Sequence, residues 1–261
     1  MSRLLTGIGR FAIGFLESAG EAWLLLWRSF ASLGRRPWYL RIWFQQMVEL
    51  GNRSLPVIVV TAVFSGAVFA LQTWEGFEQF GATTLVAFSV ALAMTRELVP
   101  VLGSLMVAGR AGGAMAAEIG TMRVTEQIDA MEAMATDPVK YLVVPRVIAA
   151  AVMLPVVVVI GDLLGILGGY MVSVYINDAR PAAYWEASFV YITVDDVTSG
   201  LIKASIFGVM IAIFSCMRGF GASGGAQGVG KATTSAVVTS SMAILVSDFF
   251  LTKALLVLWA K

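Results

Sequence analysis

Five long stretches of the chain are almost free of charge, and between them charged residues crowd into short segments. Lipid offers no partner to an unpaired backbone group, so a chain crosses a bilayer as helices of about 20 apolar residues. The first stretch, residues 54–74, holds no charge, and the second, 79–109, is interrupted only by Arg96 and Glu97. The third, 147–177, holds Asp162, the fourth, 197–217, holds Lys203, and the fifth, 232–260, holds Asp248 and Lys253. The third is too long for one upright crossing and too short for two, which predicts a single tilted or extended helix.

Ahead of these spans, apolar residues recur at Leu4, Ile8, Phe11, Phe15, Ala19, Trp23 and Trp27, with Arg10, Glu17, Glu21 and Arg28 interspersed. That is helical spacing. Glu17 and Glu21 break any signal-peptide core, so the pattern predicts an amphipathic helix lying in the membrane interface, with a shallow re-entrant segment as the alternative. The expected fold is an all-α integral membrane protein, one domain over residues 1–261. An interfacial helix region (1–50) precedes a bundle of five transmembrane helices (51–261).

Composition agrees, since 58% of residues are apolar and 13% charged, about half the charge share of a soluble domain. With 18 basic against 17 acidic residues, nothing points to nucleic acid. No histidine is present and Cys216 is the single cysteine, which removes His chemistry, disulfides and thiolate clusters within one chain. Neither a metal nor catalysis is expected of this chain. Lys and Arg stay on the cytoplasmic side of short loops. They collect before span one (Arg28, Arg35, Arg36, Arg41, Arg53), between spans two and three (Arg110, Arg123, Lys140, Arg146) and between four and five (Arg218, Lys231). The opposite loops hold Glu75, Glu78, Asp178, Arg180, Glu186, Asp195 and Asp196. This predicts a cytoplasmic N-terminus and a C-terminus outside.

An ionisable group near mid-membrane costs at least about 2.5 kcal/mol, so each should face protein or a wet cavity. Arg96 and Glu97 point about 100° apart on a helix and each needs its own counter-charge. The expected pairs are Glu97 with Lys203 and Arg96 with Asp248. Such charges either lock the bundle together or line a polar route. Asp162 is ambiguous. Gly161, Gly165 and Gly169, with Gly168 beside them, allow another backbone close to span three, in a bundle or a dimer, although membrane helices are rich in glycine anyway.

The run from Gly225 to Ala232 imitates a phosphate loop, but Ala232 stands where Ser or Thr must reach Mg²⁺, and the run joins two membrane spans rather than a strand and a helix. The glycine-rich segment 219–230 reads as a flexible connection. Between spans two and three, Val124, Ile128, Met131 and Met134 or Ala135 recur at helical spacing, with Glu126, Asp129 and Glu132 on the same turns. A short amphipathic helix is expected there, ending before Asp137-Pro138. Its acidity disfavours an anionic leaflet, so a groove on a soluble partner suits its apolar face better.

The ordered motifs Arg96-Glu-Leu-Val-Pro-Val, Ala108-Gly-Arg-Ala-Gly-Gly, Ala117-Glu-Ile-Gly-Thr-Met-Arg, Thr125-Glu-Gln-Ile-Asp-Ala-Met-Glu and Asp137-Pro through Pro145-Arg146 resemble the MlaE/YrbE permease family. The likeness continues through Gly228-Val-Gly-Lys-Ala-Thr-Thr and covers nearly the whole chain from span one onward. It implies the homodimeric transmembrane subunit of a phospholipid ABC transporter in a bacterial inner membrane, serving outer-membrane lipid asymmetry. ATP and Mg²⁺ would be bound by a separate MlaF-like ATPase. A MlaD-like MCE-domain protein and a MlaB-like STAS-domain protein would complete the assembly. The resemblance also makes residues 124–136 the coupling helix to the ATPase, with Val124, Glu126, Ile128, Asp129, Met131, Glu132 and Met134 at the contact. It places a lipid pocket at the dimer centre with Phe69, Gln72, Phe77 and Phe80, and matches Arg96, Glu97, Lys203 and Asp248 to intramembrane polar positions. Two rivals stand beside it. One is a proton-driven secondary transporter using Glu97 and Asp248, for which an internal repeat is wanting. The other is a membrane-embedded enzyme dependent on carboxylates alone.

Overall fold

The computed structural model describes residues 2–34, 38–190 and 192–259, with side chains from Ile13 onward except that of Phe15. Arg35, Arg36 and Ala260, and the side chains of Leu4, Ile8, Arg10, Phe11 and Phe15, lie outside the described residues. Those described form helices and no strand. The order is α1 (Ser2–Leu33), α2 (Leu40–Glu78), α3 (Leu85–Val124), α4 (Gln127–Ala133), α5 (Val139–Tyr175), α6 (Pro181–Val190), α7 (Val194–Phe220) and α8 (Gly225–Trp259). Helices α2, α3, α5, α7 and α8 are long and apolar enough to cross a membrane. α2 and α7 extend past their apolar stretches at both ends, and α3, α5 and α8 at one end. The third stretch is one unbroken helix, as expected, and α2 runs through from Leu40 without a break at residue 50.

α7 is the central helix. Of its most apolar 18 residues 61% are buried, against 6% in α8, so nearly all of α8's outer face is left for lipid or another chain. α2 lies along α5, and α7 packs against α5, α8 and α3. Glycine sets the spacing: a Cβ on Gly66 would stand 1.9 Å from the Gly165 carbonyl oxygen, and one on Gly168 2.1 Å from that of Val63. The glycine stripe of span three is thus occupied within this chain, by α2 and by Val90, Met94 and Val99 of α3.

Proline marks places where one helix serves another. Pro155 has no N–H, which frees the carbonyl four residues back. That carbonyl, of Ala151, accepts instead from Ser205 Oγ of α7 at 3.0 Å. Two π-helical turns interrupt α3, at Met94–Leu98 and Ala108–Gly112, and a third opens α5 at Val139–Val143.

α1 is a helix throughout its described length and meets α5 and α7. Small residues make that contact: Ala22, Ser29 and Ser32 are buried, and the two hydroxyls donate to the carbonyls of Leu25 and Arg28, each at 2.7 Å. Trp23 and Trp27, on the expected apolar stripe, point away from the bundle and are about two-thirds exposed.

Two connections differ from the sequence expectation. Segment 219–230 is mostly helix. Only residues 221–224 link α7 to α8, where Gly224 and Gly225 take φ of +84° and +68° and a Cβ on Gly228 would overlap the Ser223 carbonyl. These glycines build a tight turn between antiparallel helices rather than a flexible tether. The loop after span three contains α6, whose Tyr184 is buried and donates to the Ile166 carbonyl at 3.2 Å.

Candidate functional site

Four of the charges inside the spans, Arg96, Glu97, Lys203 and Asp248, converge on α7. Gly200 brings its backbone against α3, for a Cβ there would lie 2.1 Å from the Thr95 carbonyl oxygen. One turn on, Lys203 is 1% exposed and all three ammonium protons have acceptors. Its Nζ donates to Glu97 Oε2 at 2.7 Å, Thr252 Oγ1 at 2.6 Å and the Arg96 carbonyl at 3.2 Å. That carbonyl is free because Pro100 stands four residues later and cannot donate to it. The Thr252 hydroxyl donates in turn to Glu97 Oε1 at 3.2 Å. Asp248 Oδ1 completes the ring 3.0 Å from Nζ, as an ion pair without hydrogen-bond alignment.

Glu97 with Lys203 is the expected pair. Arg96 with Asp248 is not found. Arg96 Nε donates to Asp196 Oδ1 at 2.5 Å, and the guanidinium makes a second contact with the same oxygen. Asp196 is 2% exposed, and its other oxygen accepts from the Thr193 N–H at 2.8 Å and hydroxyl at 2.9 Å, capping the start of α7. Two features explain the difference. The π turn re-aims Arg96 and Glu97 relative to a regular helix, and Asp196 and Lys203, seven apart, share one face of α7. Both counter-charges therefore come from α7, and Asp248 joins Lys203 as a second carboxylate. Asp196 and Thr252 escaped the sequence reading. Their signals were Thr-x-x-Asp at a helix start and a threonine one turn beyond Asp248.

Lys203 lies nine residues into α7, about 14 Å along its axis. Beside it a cleft of about 670 Å³ opens between α3, α7 and α8, walled by Arg96, Glu97, Lys203 and Thr252 with Leu255 and Trp259. Asp162 is 5% exposed and one carboxyl oxygen has no partner. It stands apart from this ring.

At the basic end, the expected helix 124–136 is shorter. Val124 closes α3, Glu126 takes φ +60°, and only Gln127–Ala133 is helical. Ala135 has φ +55°, its N–H donating to the Glu132 carbonyl at 2.9 Å while Thr136 N–H reaches Met131 at the same distance. This closes the helix with a left-handed stop at both ends, a conformation costing a non-glycine residue roughly 1–2 kcal/mol. Ile128 is 2% exposed and Met131 packs on the core. The apolar face expected to dock on a partner therefore turns into the chain's own bundle. Gln127, Glu132 and Met134 are exposed, and Arg123 pairs with Asp129 across the break.

The four lipid-pocket positions differ in burial and direction. Phe69 and Phe77 are half-buried on the core, Gln72 is exposed, and Phe80, in the turn after α2, is 83% exposed. At 100° per residue Gln72 and Phe77 stand about 140° apart around α2.

The sequence pattern of the family described as Permease MlaE matches residues 43–254. A "Probable ABC transporter permease protein" of Rickettsia felis is 49% identical over 250 residues, covering 96% of each chain. The "Intermembrane phospholipid transport system permease protein MlaE" of Haemophilus influenzae is 33% identical over 253 residues, covering 95% of each. The chloroplast protein TRIGALACTOSYLDIACYLGLYCEROL 1 of Arabidopsis thaliana is 38% identical over 207 residues, spanning 79% of this chain and 59% of that protein. With five apolar crossings and relatives that match it almost end to end, this chain belongs to the MlaE family of ABC transporter permeases, multi-pass proteins of the inner membrane.

Proposed function

We propose that the chain is the permease of a phospholipid ABC transporter, a homodimer driven by a separate ATPase, that moves phospholipid between the inner and outer membranes and maintains outer-membrane asymmetry. The seating of α4 carries this reading. It is a one-sided knob at the basic end, held by Ile128 beneath the spans, stopped at both ends by left-handed residues, and presenting Glu132 and Met134 outward. Such an element transmits a push from a soluble partner directly into α3. The basic loops make that end cytoplasmic and put the last residues of α8 outside. α1, with Trp23 and Trp27 outward, lies in the cytoplasmic interface. Gln72, Phe69, Phe77 and Phe80 ring the outer end of α2, where a second copy completes a lipid pocket and an MCE-domain partner receives the lipid. A STAS-domain protein accompanies the ATPase. The chain itself holds no cofactor, ATP and Mg²⁺ belonging to the partner.

The test is purification with the neighbouring gene products and mass spectrometry of bound lipid. The expected result is a co-purified ATPase and bound phospholipid. Reversing Glu126 and Glu132 to Lys with Met134→Glu should cut ATPase recovery at least tenfold while thermal unfolding of the permease stays unchanged. A purified permease carrying neither ATPase nor phospholipid would end this reading.

A further inference from the structure

Away from the charged ring, the acidic end of the bundle encloses a second cleft of about 410 Å³. Its walls come from four places in the chain: Trp74 of α2, Thr83 and Thr84 before α3, Ser173 of α5, and the segment from Asn177 to Tyr184 entering α6. The size falls in the range of small-molecule sites.

Two polar groups on its lining lack partners. Ser173 is fully buried and its Oγ makes no hydrogen bond; Asn177 Nδ2 is likewise buried and unpaired. A buried polar group left unpaired is costly, so one that persists calls for a partner from outside the chain, a water, an ion or a ligand. The backbone around them is satisfied. Asn177 N–H reaches the Val172 carbonyl at 3.2 Å and Ala179 N–H that of Ser173 at 3.0 Å, with Asp178 at φ +54° making the reversal. The side chains are therefore not diverted to hold the loop.

What surrounds them selects a ligand. Arg180 lines the cleft and is exposed, and α6 begins just after it. The hydrogen-bond ladder of α6 starts with Tyr184 N–H to the Arg180 carbonyl at 3.1 Å, so the N–H groups of Ala182 and Ala183 precede it and Ala183 faces the cleft. A guanidinium, an amide, a hydroxyl and the first turn of a ten-residue helix are donors suited to phosphate oxygens. Asp178 also lines the cleft, and its carboxylate opposes a net anion but suits an ammonium. Trp74 supplies an amphipathic wall of the kind found at headgroup depth.

We infer that this cleft is a headgroup site for zwitterionic phospholipid, formed within each single chain and distinct from any pocket shared between two copies. Arg180, Asn177 and Ser173 hold the phosphodiester, and Asp178 faces the ammonium. The inference rests on the phospholipid reading above, and it adds a place where lipid waits at the outer face and a preference for its headgroup.

The test uses the purified full-length permease in detergent and native mass spectrometry, with dihexanoyl phosphatidylethanolamine as probe. One probe per chain should bind, and Arg180→Gln and Asn177→Leu should each weaken binding at least tenfold. Val238→Ala, on the exposed face of α8, should leave it unchanged. Dihexanoyl phosphatidylglycerol should bind at least tenfold more weakly, and inorganic phosphate should not compete at equal concentration. Ser173→Ala serves as the folding control. Its removal of an unpaired hydroxyl should leave thermal unfolding of the unliganded protein unchanged or raised, while lowering probe affinity. Equal binding by the Arg180 and Asn177 variants, equal binding of the glycerol headgroup, or full competition by phosphate would each overturn the inference. If the wild type carries phospholipid but these variants carry the same amount and kind, this site fails alone. If the wild type carries none, the transport reading fails with it.

Discussion

α5 and α7 cross the same bilayer side by side and hold their neighbours by different means. α5 meets α2 through glycine, backbone against backbone, with Gly66 over the Gly165 carbonyl and Gly168 over that of Val63. α7 also approaches α3 through glycine, at Gly200, but adds charge to its contacts with α3 and α8, with Lys203 between two carboxylates and Asp196 on Arg96. Burying apolar surface cannot decide between these arrangements, because a lipid tail is as apolar as a leucine. What remains is close contact, which glycine provides, or a partner that lipid cannot offer, which charge provides. The glycine seam has one fitted register. The charged seam sits beside a cleft, and its partners can be exchanged, since Lys203 already has two carboxylates within reach.

The largest effect should come from breaking the charged seam on one side. Lys203→Met leaves Glu97 and Asp248 without a cation, and removing one member of a buried pair costs about 3–5 kcal/mol. Unfolding in mixed micelles should show that loss. Adding Glu97→Gln and Asp248→Asn should recover most of it, because neutral groups need no counter-charge. If the neutral triple variant folds and also transports lipid at the wild-type rate in proteoliposomes, the ring is structural only; a folded variant with transport reduced at least tenfold assigns it to the lipid path.

The glycine seam should fail by a smaller amount and with no rescue. Gly168→Ala puts a methyl 2.1 Å from a backbone oxygen, and overpacking of this kind costs about 1–3 kcal/mol. Gly230→Ala in α8 is the matched control. A Cβ there meets nothing within 4 Å, and alanine is the better helix former by about 0.5–1 kcal/mol. The contrast disappears if both variants unfold alike, which would mean that the two helices do not hold this close register in the membrane.

These two seams were unequally legible in the sequence. The number of spans follows from hydropathy because the bilayer imposes it, and the glycine spacing of span three announced a close contact without naming α2 as its partner. Charge pairing was half legible. Glu97 with Lys203 could be guessed from sign and depth, but the partner of Arg96 depended on a π turn, which shifts side-chain direction without leaving a mark on apolar periodicity. Asp196 read as a loop residue because it caps a helix start, and capping and pairing use different oxygens of the same carboxylate. α4 misled for a related reason. Ile128 and Met131 do form an apolar face, but periodicity says only that a face exists. Its own bundle was near enough to take it. α6 was hidden in a segment whose apolar residues are too few for a span.

The smallest effect probes the boundary between the two means, where α7 lies close on α5, with Gly208 over the Ala150 carbonyl, and adds one hydroxyl hydrogen bond to that contact. Pro155 frees the Ala151 carbonyl, and Ser205 Oγ satisfies it at 3.0 Å. Hydrogen bonds between membrane helices average about 0.6 kcal/mol and reach about 1.7, so Ser205→Ala should cost about 1 kcal/mol in the same micelle assay. Pro155→Ala restores an N–H that can bond the Ala151 carbonyl within α5, so the serine is no longer required. In the double variant the cost of Ser205→Ala should vanish, giving a coupling energy close to the whole single-site effect. Additive losses would mean that the hydroxyl contributes by packing alone, and the α5 to α7 contact would then join the glycine seam in kind rather than stand between the two.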